Sequence, residues 1–181
     1  MKIAITGHTK GLGAEFKKVY ESLGHSVTGF SRTNGHDLRD WSKMQSMIDQ
    51  IHDYDMFISC AKPDFVQTTI LYELWKKWKG QDKTIINISS ILTYFPTCTS
   101  DLFSDPQMDF YRTSKLSLNE ACSQLTFKHR LPNILLVKPS HLYDNPISVD
   151  QETRLNKWVT TLITLIDHVE KNNFTLKEIT L

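Results

Sequence analysis

Short apolar runs alternate along this chain with longer segments in which apolar residues recur with a helical period. The runs occupy residues 3–6, 26–31, 56–60, 84–89, 134–138 and 176–180. In the first intervening segment, the spacing i, i+3, i+4, i+7 of one buried helix face is kept by Phe16, Val19, Tyr20 and Leu23. This alternation is typical of a parallel sheet covered by helices. We therefore predict an α/β fold in a single domain that spans residues 1–181.

Similar stripes predict the remaining helices, and one short connection predicts a gap in the pattern. The stripes begin at Trp41, Leu71, Leu118 and Leu155. Only residues 33–36 separate the second run from Asp37, whereas a parallel crossover needs a dozen or more residues. We expect the helix between strands 2 and 3 to be absent, together with the strand to which it would lead. The sheet would then have about six strands.

Charge and cysteine content argue against several classes of function. The chain carries 21 basic and 20 acidic residues without a run of like charges, which argues against a nucleic-acid surface or a polybasic membrane anchor. The aliphatic run at residues 134–137 is far too short to cross a bilayer, so we expect a cytoplasmic protein. Cys60, Cys98 and Cys122 lack metal-ligand spacing, which predicts reduced thiols and no metal site.

The segment after the first strand is rich in glycine. Gly7, Gly11 and Gly13 stand between this strand and the first helix. Glycine permits positive φ and close approach of a ligand to the backbone, and amide groups at a helix N-terminus bind anions. We interpret the loop as a pyrophosphate site, although the same glycines would suit a tight strand-to-helix turn. Its candidate nucleotide-binding residues are Gly7, Thr9, Lys10, Gly11, Leu12 and Gly13.

The residues at the end of the second strand indicate which nucleotide binds. A carboxylate there would accept a hydrogen bond from a ribose 2′-hydroxyl, whereas an arginine would pair with a 2′-phosphate. The chain has Ser31 and Arg32 at this place, and Lys10 offers a second cation. The two cations favour NADP over NAD. The alternative is that both are solvated surface charges.

A tyrosine and a lysine four residues apart are the main catalytic candidates. Tyr111 and Lys115 would be neighbours on one face of a helix, which could also be simply an exposed face. The phenol has an ordinary pKa of about 10, so an ammonium group that favours the phenolate would let it exchange protons at neutral pH. Ser90 follows the fourth strand at the carboxyl edge of the sheet, where open α/β folds bind ligands.

Three features together resemble the short-chain dehydrogenase/reductases: the loop T-G-x-x-x-G-x-G, Ser90 after a later strand, and the motif Y-x-x-x-K. The resemblance runs from Lys2 to about Asn145. It implies a Rossmann-type, doubly wound sheet in three α/β/α layers and an NAD(P) cofactor. It also implies hydride exchange between nicotinamide and the carbon of a small-molecule carbonyl or alcohol. A homodimer that pairs through the Trp75 and Tyr111 helices is a further implication, although core packing would explain the same residues.

The resemblance also implies a role for each candidate residue. Tyr111 would be the general acid and base, Ser90 would hydrogen-bond the substrate oxygen, and Lys115 would lower the tyrosine pKa and hold the nicotinamide ribose. Asp37 and Leu38 would lie against adenine, although Asp37 could instead hydrogen-bond its own loop. The remaining implied cofactor contacts are Cys60, Ala61, Lys62, Pro139 and Leu142.

The chain departs from the family pattern near the cofactor. Asn-Asn-Ala-Gly is replaced by residues 59–62, which end in Lys62, and Ser140 replaces the glycine of a Pro-Gly pair. Gln67 is the nearest candidate for the asparagine that many members carry on the next helix. The leading hypothesis is an NADP-dependent carbonyl reductase or alcohol dehydrogenase. The alternatives are a catalytically weak NAD(P)-binding sensor or regulatory protein, and an epimerase or dehydratase acting on a sugar nucleotide.

The segment between Ser90 and Tyr111 is longer than the family normally leaves, and it is rich in large apolar residues. These are Tyr94, Phe95, Pro96, Phe103 and Phe110. Loops at the carboxyl edge of a sheet commonly carry specificity, so we expect this one to form a wall of an apolar substrate pocket. The alternative is an insertion whose aromatic side chains pack on the core.

Overall fold

The computed structural model describes residues 1–95, 106–140, 148–172 and 174–181, and these contain one parallel sheet. Its strands are β1 (Lys2–Thr6), β2 (Ser26–Phe30), β3 (Met56–Ser59), β4 (Thr84–Ile88), β5 (Asn133–Lys138) and β6 (Glu178–Thr180). Their order in the sheet is β2-β1-β3-β4-β5-β6, and every pair is parallel. The prediction of six strands is confirmed.

Helices cover both faces of this sheet. They are α1 (Gly11–Ser22), α2 (Trp41–Gln50), α3 (Val66–Trp78), α4 (Pro106–Lys128) and α5 (Val149–Lys171), with 3₁₀ turns at Arg32–Asn34 and Ile91–Tyr94. One hydrophobic cluster joins α2, α3 and α4 to one face, and a second joins α1 and α5 to the other. The predicted Rossmann-type, three-layer α/β/α fold is therefore confirmed. Within the described ranges, no helix has both the length and the apolar character to span a membrane.

β1 shows why continuous apolar runs form this middle layer. Ile3 and Ile5 belong to the cluster under α1 and α5, whereas Ala4 between them belongs to the cluster under the other helices. All three residues are fully buried. Successive side chains of a strand point to opposite faces, so a strand covered on both sides is apolar at every position.

The connection between β2 and β3 differs from the expectation. The helix between strands 2 and 3 was expected to be absent, but α2 lies there and makes the crossover. The Asp40 side chain caps α2 by accepting hydrogen bonds from the amides of Ser42 and Lys43. Residues 37–55 supply the length that residues 33–36 lack. Residues 31–37 hold neither a second α-helix nor a further strand, so β2 lies at the edge of the sheet.

The strand order creates a crevice at the carboxyl end of β1. β2 pairs with one side of β1, and β3 pairs with the other side. The helix that follows β1 packs on one face of the sheet, and the helix that follows β3 packs on the opposite face. Open α/β sheets bind ligands where the connections diverge in this way. The glycine loop leaves β1 at this switch point.

The glycine loop is packed against β2 through His8. A β-carbon built on Gly29 would lie only 2.1 Å from Cγ of His8, so the imidazole occupies the space that a side chain on Gly29 would need. The Gly7 amide also donates a hydrogen bond to the Phe30 carbonyl, 3.2 Å away. Burial lowers the pKa of His8, although a backbone hydrogen bond with Phe30 acts in the opposite sense. The ring is therefore neutral at pH 7.

We predict that Gly29→Ala destabilises the protein by about 1–3 kcal/mol, because the added methyl group overlaps the His8 ring and forces the packed loop to move. The double variant His8→Ala/Gly29→Ala should recover most of that loss, because alanine at position 8 leaves room for the methyl group. Urea unfolding at pH 7 measures both effects, with His8→Ala alone as the control. An equal loss with and without the imidazole would contradict this contact.

Candidate functional site

A cleft of about 510 Å³ opens at the carboxyl ends of β1, β2 and β3. The predicted cofactor residues that line it are Gly7, Thr9, Lys10, Leu12, Gly13, Ser31, Arg32, Asp37, Leu38, Cys60, Ala61 and Lys62. The structure thus brings the glycine loop, the turn after β2 and the segment after β3 together. Gly11, Tyr111, Lys115 and Pro139 do not line the cleft. Leu142 lies outside the described residues.

The sequence does not predict several other residues of the cleft wall. These are Phe30, Thr33, His36, Arg39, Pro63 and Ile88. Arg39 had a local signal, because it follows Asp37 by two positions and carries the opposite charge. No sequence pattern pointed to Ile88, because it reaches the cleft only through the position of β4 beside β3 in the sheet.

Backbone geometry makes glycine necessary at two positions of the loop. Gly7 has φ +73°, and a β-carbon there would lie 2.9 Å from the amide nitrogen of Ala61. On Gly13, a β-carbon would lie 2.3 Å from the carbonyl oxygen of Gly7. Both neighbours are backbone atoms, so a larger residue would push the loop away from β3 or from the start of α1. At these two positions, backbone atoms rather than side chains therefore line the cleft.

The N-terminus of α1 has no cap from its own sequence. Lys10 stands at the N-cap position without a side-chain hydrogen bond to the first turn, and that turn contains no acidic residue. Asp40 caps α2 and Ser148 caps α5, whereas α3 also begins without a side-chain cap. The first amides of a helix lack partners within the helix and carry partial positive charge. An anionic part of a cofactor, such as a pyrophosphate, fits this position.

Basic side chains border the cleft beyond β2, and one of them is paired. Arg32, Arg39 and Lys10 all line the cleft. Asp37 accepts hydrogen bonds from Arg39 Nε at 3.2 Å, Nη2 at 3.1 Å and the backbone amide at 3.1 Å. These contacts hold the pKa of Asp37 below its ordinary value, so the carboxylate is ionised at neutral pH. Asp37 thus hydrogen-bonds its own loop, as one of the two interpretations of this residue predicts. It also lines the cleft.

Ser31 uses its polar atoms within the turn that follows β2. Its Oγ lies 2.8 Å from Thr33 Oγ1 and 3.2 Å from Asn34 Oδ1. Its amide donates to the same Asn34 oxygen at 2.8 Å. Ser31 therefore shapes the 3₁₀ turn that carries Arg32 to the cleft.

Tyr111 and Lys115 lie one turn apart on α4, as the sequence predicts. Lys115 is only 1% exposed, and its Nζ lies 5.4 Å from the centroid of the Tyr111 ring. Nζ also donates to the Ile88 carbonyl at 2.8 Å and to Gln67 Oε1. The pair is therefore not a solvated helix face. The ammonium group lies inside the protein, between a phenol ring and the end of β4.

Gln67 holds Lys115 through a side-chain amide of fixed direction. Its Nε2 donates to the Ser59 carbonyl at 2.7 Å and to the Ile88 carbonyl at 3.2 Å. Two acceptors on one side of the amide require the nitrogen there, so the oxygen faces Lys115. Gln67 is itself buried. This network joins the ends of β3 and β4 to α3 and α4, and sequence motifs alone do not reveal the contact.

The two serines after β4 use their hydroxyls differently, and neither lines the cleft. Ser89 Oγ donates to Asn119 Oδ1 on α4 at 2.6 Å. Ser90 Oγ instead accepts the Leu92 amide at 3.2 Å at the start of the 3₁₀ turn. A hydroxyl oxygen that accepts an N–H can still donate its own proton. Arg112 Nε donates to the Phe95 carbonyl at 2.8 Å, which ties α4 to the end of this turn.

Lys62 lies between the cleft and Tyr111, whereas Pro139 lies beside the turn that Ser90 begins. Lys62 lines the cleft where the family pattern has glycine, and its Nζ lies 5.9 Å from the Tyr111 ring centroid. The Pro139 carbonyl accepts the Ile91 amide at 3.2 Å, so the segment after β5 lies beside the turn that Ser90 begins. Pro139 therefore meets the Ser90 side of the site rather than the cleft wall.

The proposed apolar wall and the proposed dimer face stay predictions. Tyr94, Phe95 and Phe110 are each about half exposed, and Phe110 meets Phe65 edge to face at 5.4 Å between centroids. Pro96 and Phe103 lie outside the described residues. On α3, Trp78 is fully buried in the core and Trp75 packs against the same cluster. Lys79 Nζ lies 5.5 Å from the Trp75 ring centroid, and Lys83 Nζ lies 4.8 Å from that of Trp78.

Two cysteines differ in their relation to the site: Cys60 lines the cleft, whereas Cys122 belongs to the core cluster under α4. Cys60 and Cys122 are buried thiols, and Cys98 lies outside the described residues. Burial raises the pKa of Cys122 to about 12, so its thiolate does not form at neutral pH.

We predict that Gln67→Leu lowers the free energy of unfolding by about 2–4 kcal/mol, because a buried ammonium group and two buried carbonyls lose their amide partner. Urea unfolding at pH 7 measures the loss. Gln50→Leu on α2 is the matched control, since Gln50 is exposed and donates to the Ser46 hydroxyl. A loss no larger than that of the control would contradict the role of Gln67 in holding Lys115.

Comparison with known proteins finds no matching family model and no similar curated sequence, but solved structures match the whole chain. A short-chain dehydrogenase/reductase from Vibrio parahaemolyticus has a TM-score of 0.76 at 16% identity, over 99% of this chain and 98% of that one. A small-chain dehydrogenase in complex with NADPH has a TM-score of 0.74 at 13% identity, over 100% and 96%. The 3-alpha-hydroxysteroid dehydrogenase from Pseudomonas sp. B-0831, complexed with NADH, has a TM-score of 0.69 at 17% identity, over 100% and 93%. The resemblance predicted from the sequence is thus confirmed at the level of the fold: this chain has the fold of the short-chain dehydrogenase/reductases.

Proposed function

We propose that this chain is an NADP-dependent oxidoreductase that transfers a hydride between nicotinamide and the carbon of a carbonyl or alcohol substrate. The observation that carries the proposal is the buried Lys115 ammonium, 5.4 Å from the centroid of the Tyr111 ring and bonded to a strand that reaches the cleft. The neighbours solved with NADH or NADPH support a nicotinamide cofactor. The preference for NADP is inferred from the cations of the cleft.

In this proposal, different parts of the cleft hold different parts of the cofactor. The glycine loop and the uncapped start of α1 hold the pyrophosphate. Arg32 and Lys10 hold the 2′-phosphate through charge-assisted hydrogen bonds. Arg39 contributes less charge there, because Asp37 already neutralises it.

The residues of the chain manage the proton and the charge on the substrate oxygen. When bound, nicotinamide supplies or takes up the hydride. In reduction, Tyr111 Oη donates its proton to the substrate oxygen, while the Ser90 hydroxyl donates a hydrogen bond to the same oxygen. Lys115 stabilises the phenolate left behind, because a nearby opposite charge favours the ionised form. In oxidation, the phenolate takes the proton of the alcohol.

Lys115 has to stay charged for this chemistry, although burial opposes the charge. Gln67 Oε1 and the Ile88 carbonyl both accept hydrogen bonds from its Nζ. Hydrogen bonds to the charged form favour that form. Gln67 therefore acts as a positioning residue that helps keep the ammonium charged and near Tyr111.

A second candidate function is an NAD(P)-binding sensor or regulatory protein with weak catalysis. Lys62 favours it, because this side chain places a cation in the cleft and near the Tyr111 ring where the family pattern has glycine. The Tyr111 and Lys115 pair favours the enzyme. Measured turnover decides between the two.

We predict that the protein binds NADPH more tightly than NADH and that Arg32→Ala reduces this preference. The variant should lose about 1.5–3 kcal/mol of NADPH binding free energy, which raises the Kd about 10- to 150-fold, because a charge-assisted hydrogen bond to the 2′-phosphate is lost. NADH lacks that phosphate, so its Kd should change little. Fluorescence titration measures both values. Lys18→Ala, which removes an exposed charge from α1, is the control; equal weakening of both nucleotides in Arg32→Ala would contradict the assignment.

We predict that Tyr111→Phe lowers kcat for carbonyl reduction by about 100-fold or more, because the proton donor is lost. The Kd for NADPH should stay nearly unchanged. Turnover is measured from the loss of NADPH absorbance with each compound of a panel of small carbonyls. Tyr72→Phe on α3 is the matched control. Nucleotide binding without turnover by the native protein would favour the sensor. Failure to bind either nucleotide would refute both candidates.

A further inference from the structure

A second tyrosine–lysine contact lies beside Ser90, at the end of β5. Lys138 Nζ is 2.7 Å from Glu178 Oε1, 3.2 Å from the Tyr94 hydroxyl and 4.3 Å from the Tyr94 ring centroid. The Tyr94 hydroxyl donates to the same Glu178 oxygen at 2.7 Å. We call these three residues the β5 network. It joins the last strand, β6, to the 3₁₀ turn that begins at Ser90.

The β5 network is a charged arrangement that resists displacement. The side chain of Lys138 is only 7% exposed, so removing its partners would leave a buried ammonium group unpaired. Burial opposes its charge, but the hydrogen bonds with Glu178 and Tyr94 raise the pKa of Lys138 overall. Burial likewise opposes the charge of Glu178, whose pKa is nevertheless lowered by Lys138 and Tyr94. Both partners are therefore ionised at neutral pH.

Backbone hydrogen bonds place Ser90 within reach of the same segments. The amide of Ser89 donates to the Val137 carbonyl at 2.7 Å, and the amide of Ile91 donates to the Pro139 carbonyl at 3.2 Å. The Ser140 amide in turn donates to the Leu181 carbonyl at 2.8 Å. Ser90 thus lies between two residues that are bonded to the end of β5. The β5 network holds the other end of the turn, at Tyr94.

We infer that Tyr94, Lys138 and Glu178 are positioning residues that set the place of the Ser90 hydroxyl. The inference rests on the proposed function, in which that hydroxyl bonds the substrate oxygen. Tyr94 closes the turn that Ser90 begins, so holding Tyr94 against Lys138 limits how far the turn can move away from β5. Displacement of a catalytic group by about 1 Å can cost about 100-fold in rate. Contacts this close to Ser90 therefore bear on catalysis.

The test uses Tyr94→Phe, which removes the hydroxyl and keeps the ring, and Glu178→Gln, which removes the charge. Matched controls are Tyr54→Phe, whose hydroxyl bonds Thr28, and Glu73→Gln, whose partner is the exposed Lys76 on α3. The readouts are kcat and KM for a carbonyl substrate, the Kd for NADPH, the urea midpoint, and amide hydrogen exchange over residues 89–92. Tyr94→Phe alters a half-exposed side chain, so it remains informative if Glu178→Gln fails to fold.

We expect both variants to lower kcat by about 10- to 100-fold with little change in the Kd for NADPH, and to speed exchange over residues 89–92. The controls should change neither kcat nor that exchange. Full kcat in both variants, or a loss of kcat matched by equal weakening of NADPH binding, would overturn the inference. A native protein that binds NADPH without turning over any carbonyl would instead overturn the proposed function, and with it the catalytic purpose of the β5 network.

Discussion

The burial of the Lys115 ammonium group is the constraint on which the site depends. A charged amine taken out of water is costly unless hydrogen-bond acceptors replace the water. Gln67 and the Ile88 carbonyl are such acceptors here, and Lys115 is 1% exposed. The acceptors come from α3 and β4, whereas the lysine comes from α4. These elements cannot shift separately without leaving the charge unpaired, so Tyr111, one turn away on α4, is held at the same edge of the sheet.

Local rules account for the parts of the structure that the sequence predicts well. Every central strand is covered on both faces, so its sequence is a continuous apolar run. The strand ends where polar residues follow that run. The need for glycine at position 13 follows from a steric contact within a few residues, with the Gly7 carbonyl. The error over the helix between strands 2 and 3 has a local cause as well. Residues 33–36 are too few for a crossover, but the crossover continues past Asp37 through the apolar stripe that begins at Trp41.

Pairs between distant segments account for what the sequence does not reveal. Gln67 and Lys115 are 48 residues apart, and Lys138 and Glu178 are 40 apart, so no period or short motif links them. Lys138 follows four apolar residues in β5 and finds its partner only because β6 pairs with that strand. The candidate site was therefore predictable where the chemistry follows from a motif. It was not predictable where one side chain is held by another from a different element.

The two ammonium groups near Tyr111 lie at similar distances but differ in effect. Lys62 Nζ is 5.9 Å from the ring centroid and Lys115 Nζ is 5.4 Å from it, so distance alone hardly separates them. Lys62 is exposed, whereas Lys115 is buried. Water and salt screen a charge at the surface, while an interior charge acts through a medium of lower effective dielectric. Under the proposed function, Lys115 is therefore the cation that stabilises the Tyr111 phenolate. The replacement of glycine by Lys62 changes the charge of the cleft more than it changes the surroundings of the phenol.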